Sequence, residues 1–182
     1  AQQMYGRVLD VGSGKGLWRT LLGTPQVVRL DVDSPSPQGS WGEKVVGDAS
    51  HLPFADSSFD GVWACAIIEH VAADAIPELI RVTKPGGRVV ILTPNKHSPK
   101  DWVRRLAGRP TWIEREGHVR LYSVGDLRKY GSVRGEIWGF PFLDPLFRLL
   151  PWLGDTILLE ITVGKPGSPE LGNSRDENSP PS

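Results

Sequence analysis

The run Val8 to Gly16 reads VLDVGSGKG, and its residue types and spacing bear on chemistry more directly than any other part of the chain. Apolar residues flank Asp10 as in a buried parallel strand with one polar position near its end, and Gly12, Gly14 and Gly16 follow at alternate positions. Glycines let backbone pass close to a ligand and take up φ > 0. A helix can start at Leu17 (LWRTLL), and the free N–H groups of a helix start favour anionic oxygens. Strand, glycine turn and helix N-terminus together seat a polar cofactor. Spacing narrows the choice. The dinucleotide pattern G-x-G-x-x-G needs glycine where this chain has Leu17, and the phosphate loop needs Ser or Thr after Lys15, where Gly16 stands. What remains is D-x-G-x-G-x-G.

A second acid follows at the end of an apolar run, VVRLD, Val27 to Asp31. Asp31 comes 21 residues after Asp10, close to the interval of a βαβ unit. An acid in that place of a doubly wound sheet accepts hydrogen bonds from two ribose hydroxyls. Asp33 is a rival that could equally cap the short turn around Pro35; Asp31 is favoured.

The D-x-G-x-G-x-G run resembles the first motif of class I S-adenosylmethionine-dependent methyltransferases, and three further segments fall in the order this family requires. They are VVRLD, then GDASHLPFADSSFDGVWA (Gly47 to Ala64), then VTKPGGRVVILTPN (Val82 to Asn95). The Gly47 segment is very like the family's adenine-binding stretch. The resemblance implies that Asp48 accepts from an exocyclic amine, that the Ala49 N–H donates to a ring nitrogen and that Leu52 covers a ring face; an ordinary loop cap is the other reading of Asp48. The Val82 segment resembles the fifth strand of the fold: a helix ending at Lys84, a turn at Pro85-Gly86-Gly87 and a buried strand RVVILT, all structural. The likeness covers about half of the chain. It is closest to the small-molecule group that includes quinone-biosynthesis enzymes.

This resemblance implies an α/β fold with a doubly wound, mostly parallel, seven-stranded Rossmann-like sheet and an antiparallel last strand. It implies S-adenosyl-L-methionine as cofactor, held by Asp10, Gly12, Ser13, Gly14, Gly16, Asp31, Val32, Asp48, Ala49, Leu52 and Ala64. The activity it implies is in-line transfer of a methyl group to a small-molecule or lipid-like acceptor, with O-, N- and C-methylation left open. Rate would then come largely from positioning and desolvation, with a general base where the nucleophile carries a proton.

The candidate catalytic residues are Glu69 and His70, in IIEHV after the fourth strand. An E-H pair here resembles the loop of quinone O-methyltransferases. Histidine suits a general base because its ordinary pKa lies near neutrality; the other reading is a helix-start histidine bonding a nearby carbonyl. Where those enzymes carry a further acid, three residues before Glu69, this chain has Ala66, so no metal site is expected. His118, in GHVRLYS, is read as structural or as touching the substrate, and His51 and His97 stand in no special context. A non-catalytic cofactor-binding scaffold or partner subunit is the rival reading. A nicotinamide-dependent enzyme is disfavoured by Leu17, and DNA base methylation by the lack of a [DNS]-P-P-[YFW] segment.

The elements that position these residues must fit in 182 residues, enough for one domain with a sizeable core. Twenty-one basic and 21 acidic side chains balance, so no global field points to nucleic acid or membrane. The single cysteine, Cys65, rules out an internal disulfide and fits a reducing, cytoplasmic setting as a small core residue. The opening AQQMYGR has no apolar stretch of a secretory signal. Family members carry a helix or more before the first strand, so the chain is expected to be a fragment or processed form lacking part of the substrate site.

Strands are expected at Arg7–Val11, Val27–Asp31, Glu43–Gly47, Gly61–Cys65 and Arg88–Thr93, with helices at Leu17–Leu22 and Ala75–Val82. The link DSPSPQGSWG (Asp33 to Gly42) is too short and too rich in Pro, Gly and Ser for a crossover helix, and Trp41 is a candidate to fill the adenine wall such a helix would give. The domain is read as residues 1–164, with a substrate cap at 96–154 and a disordered tail at 165–182. Lys96 to Arg134 carries ten Lys or Arg against four acids, which fits an acidic or phosphorylated acceptor or an anionic membrane surface, or simply a solvated helix face. EIWGFPFLDPLFRLLPWLG (Glu136 to Gly154) has Asp144 and Pro145 as N-cap and first helical residue. It is open between a core helix, a lid on an apolar substrate pocket and an interfacial membrane contact. A last strand, TILLEITV, is expected at Thr156–Val163, antiparallel to the fifth.

Overall fold

The structure is a computed structural model that describes residues 4–14, 24, 26–33, 42–71, 73–111, 117–136, 150 and 154–164. The strands are β1 (Val8–Val11), β2 (Val27–Asp31), β3 (Glu43–Val46), β4 (Phe59–Cys65), β5 (Thr83–Pro94), β6 (Ser132–Glu136) and β7 (Thr156–Thr162). The described helices are α1 (Ile76–Arg81), α2 (Pro99–Leu106) and α3 (Val124–Arg128). The strands form one seven-stranded sheet in the order β3-β2-β1-β4-β5-β7-β6. β3, β2, β1, β4 and β5 pair in parallel, while β7 is antiparallel to both β5 and β6.

Strands covered on both faces need apolar residues on both, and β1 is buried at all four positions. One face carries Leu9, Val11, Val28, Leu30, Val62, Ala64, Val89 and Ile91, which join Ile76 and Leu79 of α1 and Leu127 of α3 in the larger core cluster. The other face carries Val8, Val27, Trp63 and Val90 with Met4 in a smaller cluster. β1 sits between β2 and β4, so successive crossovers leave in opposite directions there. The carboxyl ends of the strands around that switch point form a crevice.

The expected strands are present with small shifts at their ends. The KPGG turn is a bulge within β5: pairing passes from Phe59↔Thr83 to Gly61↔Arg88, so Lys84–Gly87 loop out and the strand starts at Thr83 instead of Arg88. β6, inside the stretch read as a cap, is an edge strand of the sheet. α2 and α3 also fall in that stretch. The expected helix at 17–22, the link at 34–41 with Trp41, the apolar segment at 137–149 and the tail at 165–182 lie outside the described residues. No helix among the described residues is long and apolar enough to cross a membrane.

Candidate functional site

The β1–glycine loop is built by its own backbone. The N–H groups of Gly12 and Ser13 both donate to Leu30 O, at 2.9 and 3.1 Å, which turns the chain back over the end of β2. Gly12 has φ +69, and a Cβ there would stand 2.8 Å from Cβ of Ile67, so glycine is needed for both conformation and space. Gly14 has φ +45 and faces open space. Its N–H donates to Oδ2 of Asp31 at 2.7 Å. Asp31 also accepts the Asp33 N–H at 3.2 Å, so Asp31 organises this corner and Asp33 serves it through backbone. The main chain of Asp31 in turn accepts the Gly47 N–H at 3.0 Å, which sets residues 47–52 beside the glycine loop.

Asp48 is exposed and accepts the Ser50 N–H at 2.8 Å. That hydrogen bond leads the interactions holding its carboxyl below the usual carboxylate range. Ala49 and Leu52 are buried in the larger core cluster. The loop carrying them is fastened to α1. Glu78 accepts the Leu52 N–H at 2.9 Å, and Arg81 donates to Glu78, Asp56 and the carbonyls of Leu52 and Phe54. Val32 is exposed, and Ala64 is fully buried within β4. Gly16 lies outside the described residues.

Asp10 is 1% exposed, and neither of its carboxylate oxygens has a hydrogen-bond partner among the described residues; the same holds for the buried Ser13 Oγ. Burial pushes the Asp10 carboxyl up to about 7, against the pull of Arg29 and with a push from Asp31. Arg29 is in register with Asp10, fully buried, and donates to Gly14 O at 2.9 Å. It escaped the sequence reading. The signal was there: a lone cation in the buried run VVRLD requires an acidic or carbonyl partner.

Ala66 follows β4 with φ +52, and residues 66–70 fold across the end of the glycine loop, where Ile67 meets Gly12. Glu69 is 1% exposed; Oε2 accepts from Thr93 Oγ1 at 3.0 Å, and Oε1 has no partner among the described residues. Burial raises its carboxyl above the usual range. His70 is exposed, with its ring centroid 4.7 Å from that of His118. Glu69 O accepts the N–H groups of Val119 and Arg120 at 3.0 and 3.1 Å, which pins this later segment to the turn. Ligand atoms of Glu69, His70 and His118 lie within 4.8 Å of one another, a group able to hold a divalent cation or to pass a proton. The sequence reading paired Glu69 with His70 but left His118 outside the pair. A contact across 48 residues is visible only in the folded chain. Cys65 is a free thiol, half-buried, pushed up to about 12 chiefly by burial.

Residues 9–91, just under half of the chain, match the family model described as a methyltransferase domain. The chain is 37% identical over 142 residues to a malonyl-[acyl-carrier protein] O-methyltransferase of Erwinia pyrifoliae, covering 65% of this chain and 53% of that protein. It is 36% identical over 94 residues to a demethylmenaquinone methyltransferase of Beutenbergia cavernae, covering 47% of this chain and 39% of that protein. The chain thus spans about half the length, or less, of these curated relatives. Among solved structures, a SAM-dependent methyltransferase from Thermotoga maritima superimposes with a TM-score of 0.60 at 17% identity, over 87% of this chain and 82% of that one, which shows the shared fold.

Proposed function

We propose that this chain is a class I methyltransferase, transferring a methyl group from S-adenosylmethionine to a small-molecule or lipid-like acceptor; the sheet order and the match over residues 9–91 support this. The observation that carries the reading is the continuous hydrogen-bonded corner Gly14–Asp31–Gly47 at the switch point of the sheet. The residues present fit the cofactor. Two glycines hold positive φ, Gly14 faces open space, and Ser13 Oγ and the Asp10 oxygens are buried without partners among the described residues. Asp31 would take the ribose hydroxyls, Asp48 and the Ala49 N–H the adenine edge, and the glycine loop the amino-acid end. When bound, the cofactor supplies an electrophilic methyl group on a sulfonium whose leaving group is neutral.

The protein's own part is positioning, exclusion of water and removal of the acceptor's proton. His70 would take that proton, a reading supported by its exposure on the turn that meets the glycine loop. Glu69, anchored by Thr93 and by the backbone of residues 119–120, holds the turn in place. The acceptor is acidic or amphipathic, in keeping with the excess of cations between Lys96 and Arg134. A reducing, cytoplasmic setting suits the free Cys65 thiol.

The test is a screen of quinols, phenols, amines and carboxylic acids with labelled cofactor. Acceptor-dependent release of S-adenosylhomocysteine is expected. Cofactor binding with no release across acceptor classes would instead support a non-catalytic scaffold.

A further inference from the structure

A cavity of about 730 Å³ opens beside the carboxyl end of β5, between α2 and residues 117–121. Lys96 and His97 line it from the β5–α2 connection, Asp101, Trp102 and Arg105 from α2, and His118 from the later segment. Four of these residues, Lys96, His97, Arg105 and His118, are basic, against one acid, Asp101. The frame is fixed. Lys96 N–H donates to Tyr122 O at 2.9 Å, and Asn95 Nδ2 donates to Gly154 O at 2.7 Å, so the root of the connection is held from two sides. Trp102 is 69% exposed although it lines the cavity, so its indole offers a flat apolar face to anything entering. His118 meets His70, whose turn also packs on Gly12 through Ile67. Through the His118–His70 contact the cavity adjoins the turn 66–70, which itself meets the glycine loop.

We propose that this cavity is the acceptor site and that it selects an anionic acceptor with a planar body. A carboxylate or phosphate group is held by Lys96 and Arg105, the ring lies against Trp102, and the nucleophilic end points to His118 and His70. This rests on the methyl-transfer reading for its meaning but not for its test. Lys96 and Arg105 would serve recognition, and His118 with His70 proton removal. A neutral ring could use only the Trp102 face.

The test is calorimetric binding of 4-hydroxybenzoate, phenyl phosphate and neutral 4-hydroxybenzamide to the cofactor-free protein, repeated with S-adenosylhomocysteine present. The two anions are expected to bind about tenfold more tightly than the amide, a ratio that one charge-assisted contact accounts for. The tighter of the two identifies carboxylate or phosphate as the preferred group. Lys96→Gln is expected to cut that advantage severalfold while leaving the amide and S-adenosylhomocysteine unchanged, and Trp102→Ala to weaken acid and amide alike. Equal binding of anions and amide, no binding of either anion, or a Lys96→Gln loss shared by the amide overturns the proposal. Failure of S-adenosylhomocysteine to bind while the anions retain their advantage counts against the methyl-transfer reading alone.

Discussion

Asp10 departs far from the ordinary state of a carboxylate. Its carboxyl is pushed up to about 7 because burial penalises the charge more than Arg29 favours it. The folded protein therefore keeps a proton between roughly pH 4 and 7 that the unfolded chain has released. The associated stability is fully present below the unfolded pKa and is lost as pH rises through about 7. Asp10→Asn abolishes the slope. Chemical denaturation from pH 5 to 8 is expected to show the variant gaining stability relative to the parent as pH climbs, whereas parallel curves would contradict the assignment. In the proposed function His70 acts on rate instead. His70→Ala is expected to lower kcat by roughly a hundredfold or more, the usual worth of a general base, with cofactor affinity held. A loss confined to KM would make His70 a binding group. Asp10, Gly12, Gly14 and Asp31 were legible in the sequence because strand and glycine turn are short-range patterns. Arg29 showed only as a cation in a buried run, without its partners, and the His118–His70 contact did not show at all. Their roles come from register across β1 and β2 and from a contact between distant segments.

At the scale of elements, apolar runs revealed β1, β2, β4, β5 and β7, the central parallel strands because burial on both faces leaves continuous hydrophobic stretches; β3, EKVV, is only partly buried and carries no such run. β6, SVRGE, has no such run; it is a strand because β7 offers it an edge. The bulge at Lys84–Gly87 reads as a turn in the sequence because Pro and Gly mark both. α3 had a local signal. Ser123 Oγ accepts the Asp126 N–H at 3.2 Å, and Asp126 Oδ2 accepts the Ser123 N–H at 2.8 Å, a reciprocal cap at the start of a five-residue helix. The cap presents Val124 and Leu127 to the core, so Ser123→Ala is expected to cost about 1 kcal/mol. Thermal melting should show a lowered Tm with unchanged cofactor binding. An unaltered Tm would mean that packing alone fixes α3.

For the whole molecule, the strand order places β1 at the switch point and brings the glycine loop, Asp31 and residues 47–48 to one edge of the sheet. The turn 66–70 connects that edge to the cavity behind His118. The glycine-loop corner follows consecutive strand ends and so shows as local motifs in the chain, whereas the cavity is assembled from α2 and a segment farther along, so the sequence shows only that its stretch is basic. The central claim is that the corner at Asp31 holds S-adenosylmethionine. Titration calorimetry of the cofactor against the parent chain and Asp31→Ala tests it most directly. The account predicts saturable one-to-one binding by the parent and a loss of about tenfold or more in the variant, as expected when a charged hydrogen-bonding partner is removed. A folded parent that takes up no cofactor, or a variant that binds it as tightly, would contradict it.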